Sequence, residues 1–154
     1  MQVFTQTMKR MLWLSVPTAA LLLSACESAP PMKSSSMGSE KGVYVDLGSS
    51  QEVPPVVSNG TGSGTIVVAP DGSISGSVTT TDIAGVAAHI HMGRVGKNGP
   101  VIVPLKKTGD HTWSVPKGAR LTPEQMAAYK AGDLYVNVHT AAHKGGEVRG
   151  QIIP

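Results

Sequence analysis

From Val43 onward the sequence breaks into short alternating or β-branched runs separated by turn residues, chiefly Gly, Pro, Asn and Asp. Side chains on an extended strand point to opposite faces in turn, so a period of two describes half-buried strands rather than helices. Strands are expected at 43–47, 52–57, 62–69, 73–81, 85–91, 100–105, 110–115, 133–139 and 147–153. Many short strands with turns between them make an antiparallel β-sandwich or barrel. The clearest hairpin is TIVVAPDGSISGSV, where Pro70-Asp71-Gly72-Ser73 supplies a fixed φ and a glycine for the tight turn. One short helix is expected over 122–130: Thr122 caps it, Pro123 suits the first helical position, Gln125 completes a capping box, and Gly132 stops it.

Composition agrees with an all-β chain of one domain. Only 4% of the 154 residues are aromatic and 15% charged, while Gly numbers 18 and Pro 11. Removing Lys9 and Arg10, which precede an apolar leader, reduces the formal charge from +3 to +1. A near-neutral chain without a basic stripe is not built for a phosphate backbone, so nucleic acid is excluded as a partner. The single Cys cannot form an internal disulfide. No internal repeat, phosphate-cradling glycine loop, nucleophile elbow or Cys pair for zinc is present.

The amino-terminal region reads as an address and a tether. Residues 1–25 form a signal peptide: two basic residues, an apolar stretch over 11–23 too short and too soon broken to span a bilayer, and then Leu23-Ser24-Ala25-Cys26. That tetrapeptide resembles a bacterial lipobox, in which cleavage precedes a Cys whose thiol carries a diacylglycerol. Acyl chains contribute about 0.8 kcal/mol per buried methylene, enough for durable anchoring when several are attached. Glu27 in place of Asp resembles the outer-membrane default of Gram-negative lipoproteins. Residues 26–42, the lipidated Cys followed by a Ser-, Pro- and Gly-rich segment, form a tether whose reach is about 20 to 25 Å. The implied location is the bacterial cell envelope, with the protein lipid-anchored at the outer membrane and facing the periplasm. The remaining 43–154 is the folded domain.

The histidines carry the chemical signal. Four of the five lie in two segments, AAHIHMG with His89 and His91, and YVNVHTAAH with His139 and His143. Strand alternation sends Val86, Ala88 and Ile90 to one face and His89 and His91 to the other; likewise Leu134, Val136 and Val138 oppose Tyr135, Asn137 and His139. Imidazoles at i and i+2 stand about 6 to 7 Å apart and can reach one ion between them. His89, His91 and His139 would supply three nitrogen ligands, a set that suits copper or zinc and leaves a position open, with His143 as a fourth ligand. Met92 is a candidate axial thioether or a gap filler, and His111 reads as structural. Glu147, Arg149 and Gln151 alternate with apolar residues, so hairpin pairing with 133–139 could bring Arg149 beside the histidines to orient an anion, or pair it with Glu147 or Asp133. Met32 and Met37 in the tether read as bland.

Four segments, GSSQEVPP (48–55), AHIHMGRVGKNG (88–99) with Pro100 following, GDLYVNVHT (132–140) and GGEVRGQI (145–152), resemble the CHRD domain, first named from chordin and found in many bacterial secreted proteins. The resemblance implies an immunoglobulin-like or Cu-Zn superoxide dismutase-like β-sandwich, and in chordin the domain belongs to an extracellular protein that binds other proteins. A weaker likeness is to copper-dependent superoxide dismutases, which carry an HxH, a later His and an Arg near the carboxyl end. This chain departs from them in having no disulfide and no zinc loop. Two functions are therefore expected to compete: an envelope-anchored copper-binding domain, with zinc as the alternative metal and dismutation as its enzymatic extension, and a non-catalytic module that binds another envelope protein. Loss of metal with the histidines, or its indifference to them, separates the two.

Overall fold

The computed structural model describes residues 41–154, so the signal segment, Cys26 and most of the tether lie outside the described residues. Nine strands form: β1 (Val43–Gly48), β2 (Thr61–Val68), β3 (Ile74–Thr81), β4 (Gly85–Met92), β5 (Val101–Pro104), β6 (Lys106–Lys107), β7 (Thr112–Ser114), β8 (Leu134–Thr140) and β9 (Val148–Ile152), with one helix, α1 (Pro123–Lys130), between β7 and β8. All pairings are antiparallel, in the order β5-β4-β8-β9-β1-β2-β3-β7-β6. The two ends of that order belong to one stretch of chain. Residues 101–104 pair with β4, and residues 106–107 pair with β7, while the Leu105 N–H between them donates to the Ala88 carbonyl at 2.9 Å. The sheet thus curls until a single segment serves both edges, which removes most of the unpaired edge that an open sheet exposes. The all-β class with one short helix is as the alternation implies.

The inward face is filled by the apolar half of each alternating run: Val45, Leu47, Ile66, Val78, Ala88, Ile90, Val103, Trp113, Val136, Val138, Val148 and Ile152 are all buried and belong to one cluster. Local chemistry sets the connections. In the β2–β3 hairpin Gly72 takes φ +87°, a backbone conformation that side chains resist, and Asp71 Oδ1 accepts from the Ser73 N–H at 2.8 Å. Helix α1 begins with a capping box: Thr122 Oγ1 accepts from the Gln125 N–H at 3.2 Å and Gln125 Oε1 from the Thr122 N–H at 2.9 Å.

Two expectations fail. The strand expected at 52–57 does not form; a short 3-10 turn (Ser49–Gln51) gives way to irregular backbone. Pro54 and Pro55 lack the N–H groups that a ladder needs, so this segment crosses the outside of the sheet as a strap. Val86 does not join Ala88 and Ile90 in the core but is 62% exposed, because a register shift between Gly85 and Ala87 reverses the alternation at the start of β4.

Candidate metal centre

Strand β4 lies between β5 and β8, and β8 lies between β4 and β9. The β4–β8 register sets Ala87 opposite His139, His89 opposite Asn137 and His91 opposite Tyr135. Since Ala88, Ile90, Val136 and Val138 point inward, the intervening side chains share the outer face. The histidine rings gather there: centroids of His89 and His139 are 4.9 Å apart, of His89 and His91 5.6 Å, and of His91 and His139 6.3 Å. One nitrogen from each of the three lies within 4.8 Å of the others.

This outer face is not the solvated surface that alternation alone suggests. Tyr135, Asn137 and Arg149 are buried and His91 is only 8% exposed, because the 93–99 loop, the 141–146 turn and the 49–58 strap lie over or beside it. His89 and His139 stay half-buried, so the cluster opens to solvent on their side.

Backbone carbonyls fix the tautomers. His91 Nδ1 is 2.9 Å from the Gly99 carbonyl, and His139 Nδ1 is 2.9 Å from the Lys144 carbonyl. A carbonyl oxygen only accepts, so each Nδ1 carries the proton and each Nε2 presents a lone pair. His91 Nε2 is buried without a hydrogen-bond partner. His139 Nε2 accepts from His89 Nδ1 at 3.0 Å. A cation drawn into the cluster would take the place of that one proton, with the other two lone pairs already aimed. Carbonyls that orient metal-binding imidazoles through the distal nitrogen are a usual outer support for such sites.

The carbonyl of Gly99 reaches His91 because residue 99 has no side chain. A Cβ there would lie 1.7 Å from the Met92 carbonyl oxygen. The Gly99 N–H also donates to the Tyr135 hydroxyl at 3.3 Å. The Tyr135 ring lies 8° from parallel to that of His91, with centroids 4.8 Å apart, and the Arg149 guanidinium carbon is 3.4 Å from the same Tyr135 centroid. With β8 between β4 and β9, the three side chains stack in the order His91, Tyr135, Arg149.

Electrostatics favour the neutral form of His89 and His91. Burial lowers the pKa of His89, and repulsion from His139 and His91 lowers it further. Burial likewise lowers that of His91; the Gly99 carbonyl opposes this, but His139 and Arg149 add to it. Neutral imidazole is the form that binds metal.

The other candidates fall elsewhere. His143 is not in the cluster; its backbone closes the turn after β8, its carbonyl receiving the Thr140 and Gly146 N–H groups. Met92 points to the opposite face and packs against the core. Trp113 is buried while His111 is exposed, and the His111 carbonyl receives the Thr80 N–H at 2.9 Å. Arg149 pairs with neither Glu147 nor Asp133. Buried to 1% exposure, it donates to the Arg94 and Lys97 carbonyls at 3.1 and 3.0 Å and clamps the 93–99 loop, with the Tyr135 ring between it and His91. Glu147 is held by Ser58 and Thr140, whose hydroxyls donate to its two oxygens at 2.6 and 2.5 Å.

Three supporting residues escaped sequence reasoning. Tyr135 and Asn137 carry a visible signal, since they share the parity of His139. Glu52 carries none, because the strap that delivers it to the face is read as a strand.

A family model for the CHRD domain matches residues 43–152, all but the last two residues of the domain described above. The chain belongs to the CHRD domain family. No curated protein and no solved structure matches it. In this CHRD domain the four segments that carry the sequence resemblance converge on one place. Residues 48–55 hold the strap, 88–99 the histidine pair and the loop that covers it, 132–140 strand β8 with His139, and 145–152 the strand that carries Arg149.

Proposed function

We propose that this CHRD domain binds a transition-metal ion, copper above zinc, through His89, His91 and His139, and that an acylated Cys26 holds it in the bacterial envelope at the outer membrane, facing the periplasm. The observation that carries the metal reading is the meeting of three imidazoles with nitrogens within 4.8 Å of one another, two of them held at Nδ1 by backbone carbonyls. An all-nitrogen set suits borderline cations, and imidazole favours Cu(II) over Zn(II) in the Irving–Williams order. The three ligands come from two neighbouring strands and leave a side open to solvent, which suits storage or delivery and leaves room for a small ligand. Superoxide dismutation is the enzymatic extension of a copper site of this kind.

The test is metal content and Cu(II) paramagnetic resonance on protein without a histidine tag, beside a variant with His89, His91 and His139 all changed to Ala. One equivalent of copper with nitrogen splitting, absent from the variant, supports the reading. If both proteins fold and neither holds metal above background, the reading is wrong. The competing role is an interaction module for another envelope protein, favoured by the exposed valines Val57, Val95 and Val101. It predicts that the triple variant still captures its partner. For the anchor, Cys26→Ser is expected to move the protein from the membrane fraction to the soluble one.

A further inference from the structure

Two carboxylates are buried among the described residues, Glu52 and Glu147. They are satisfied very differently. Both oxygens of Glu147 are taken by hydroxyls, from Ser58 and Thr140. Glu52 is 4% exposed, yet its Oε1 has no hydrogen-bond partner. A buried carboxylate oxygen with nothing to accept from is costly, and its retention calls for a reason.

Its neighbours supply one. Of the four buried side-chain polar atoms without partners among the described residues, three are Glu52 Oε1, Asn137 Oδ1 and His91 Nε2. Asn137 stands opposite His89 in the β4–β8 register and its Nδ2 donates to the Gly145 carbonyl at 3.4 Å, with the Glu52 carboxyl beside it on the same face. Gly146, at φ +127°, makes room for the arrangement: a Cβ there would lie 2.3 Å from Glu52 Oε1 and 2.6 Å from Asn137 Nδ2. Glu52 also lines a cavity of about 520 Å³ with Arg149, Gln151, Val53 and Val95. Arg149 offsets part of its charge, but that guanidinium is already engaged by two loop carbonyls.

Resting on the metal reading above, we propose that Glu52 supplies, from behind the histidine face, the negative charge that offsets a cation held by His89, His91 and His139. A carboxylate behind the ligands stabilises the loaded state without touching the ion, as second-layer carboxylates do in other metal sites. The empty domain bears the cost of a poorly satisfied charge so that the loaded one is balanced. A residue kept only for structure would do the reverse and favour the empty fold.

The experiment compares wild type, Glu52→Gln and Asn137→Ala for Cu(II) affinity by competition titration, for paramagnetic resonance and for thermal stability without metal. Expected for Glu52→Gln is a 10- to 100-fold weaker Cu(II) affinity, a changed copper hyperfine splitting, and an empty fold at least as stable as wild type. Asn137→Ala leaves the carboxylate in place and is expected to weaken Cu(II) binding less than Glu52→Gln does. An affinity within twofold of wild type with a superimposable spectrum overturns the proposal, and so does a larger loss in Asn137→Ala than in Glu52→Gln. Wild type that takes up no copper sinks the metal reading itself, and this proposal with it.

Discussion

The structure makes Gly99 the residue on which the histidine site turns, and Gly99→Ala tests that directly. The new methyl would sit 1.7 Å from the Met92 carbonyl oxygen, well inside contact distance, and its neighbour there is backbone, so the loop must move. Moving it costs two hydrogen bonds: His91 Nδ1 to the Gly99 carbonyl at 2.9 Å, and the Gly99 N–H to the Tyr135 hydroxyl at 3.3 Å. Stranding the buried His91 donor costs about 1 to 3 kcal/mol, and losing the second bond about 1 kcal/mol. Destabilisation of about 2 to 4 kcal/mol follows, a fall in Tm of roughly 10 to 20 °C for a domain of this size. Copper affinity should fall as well, since His91 loses the contact that fixes its tautomer. The assay is thermal unfolding by circular dichroism with and without Cu(II), beside Gly145→Ala. A Cβ at Gly145 meets nothing within 4 Å, so that change should stay within about 0.5 kcal/mol of wild type. If the two variants melt together, the loop does not hold His91 in the way described.

Three further outcomes follow from the same geometry. Copper at about 100 times its dissociation constant should stabilise the wild-type domain by about 2.7 kcal/mol and leave the triple-Ala variant's melting unchanged; equal shifts in both would place the binding elsewhere. The two buried carboxylates should give opposite pH signatures in denaturant titrations of the metal-free protein. Burial works to raise the Glu147 pKa, but Ser58, Thr140 and His143 together hold it below its usual value, so its stabilisation is present above an unfolded pKa of about 4.3 and is lost as pH falls through the lower folded value. Burial raises the Glu52 pKa against the opposing pull of Arg149, Val53 and Asn137, so its ionised form weakens the fold at neutral pH and the penalty fades on acidification. Glu147→Gln should therefore be less stable than wild type at pH 7 and converge with it in acid, whereas Glu52→Gln should match or exceed wild type at pH 7; a shared sign would contradict the assignments. Finally, Ile90→Ala, at a fully buried position, should cost about 2 to 5 kcal/mol while Val86→Ala should cost under about 0.5 kcal/mol, and a large loss at Val86 would mean that the bulge is misplaced.

How much of this was legible in the sequence depends on whether the signal was local. Alternation is a property of neighbouring residues, so His89 and His91 could be assigned to one face, and His139 with Tyr135 and Asn137 to another, from chain order alone. The capping box at Thr122 and the turn at Gly72 are equally local, and both stand in the structure. Alternation misleads wherever the backbone loses step. The register shift at the start of β4 sends Val86 outward, and the prolines at 54 and 55 turn an alternating stretch into a strap. Closure of the sheet by residues 101–107 was likewise hidden, since nothing in VIVPLKK says that its halves pair with different strands.

Parity could place three imidazoles on outward faces, but it could not say that β4 and β8 are neighbours, nor that the outward side would be covered. The cover decides the chemistry. Three histidines on a solvated sheet would protonate freely in mild acid, with their rings unconstrained. Here the 93–99 loop buries His91 and takes its Nδ1 proton, the 141–146 turn does the same for the His139 proton, and Arg149 pins the first loop through two carbonyls. The strap then delivers Glu52 to the Asn137 amide behind them. The two carbonyls lie eight and five residues along the chain from the histidines they hold, whereas Arg149 arrives on β9 and Glu52 on the strap. A strand pattern can therefore reveal where ligands point, whereas the arrangement that turns them into a site with fixed tautomers and a compensating charge is a property of the closed fold.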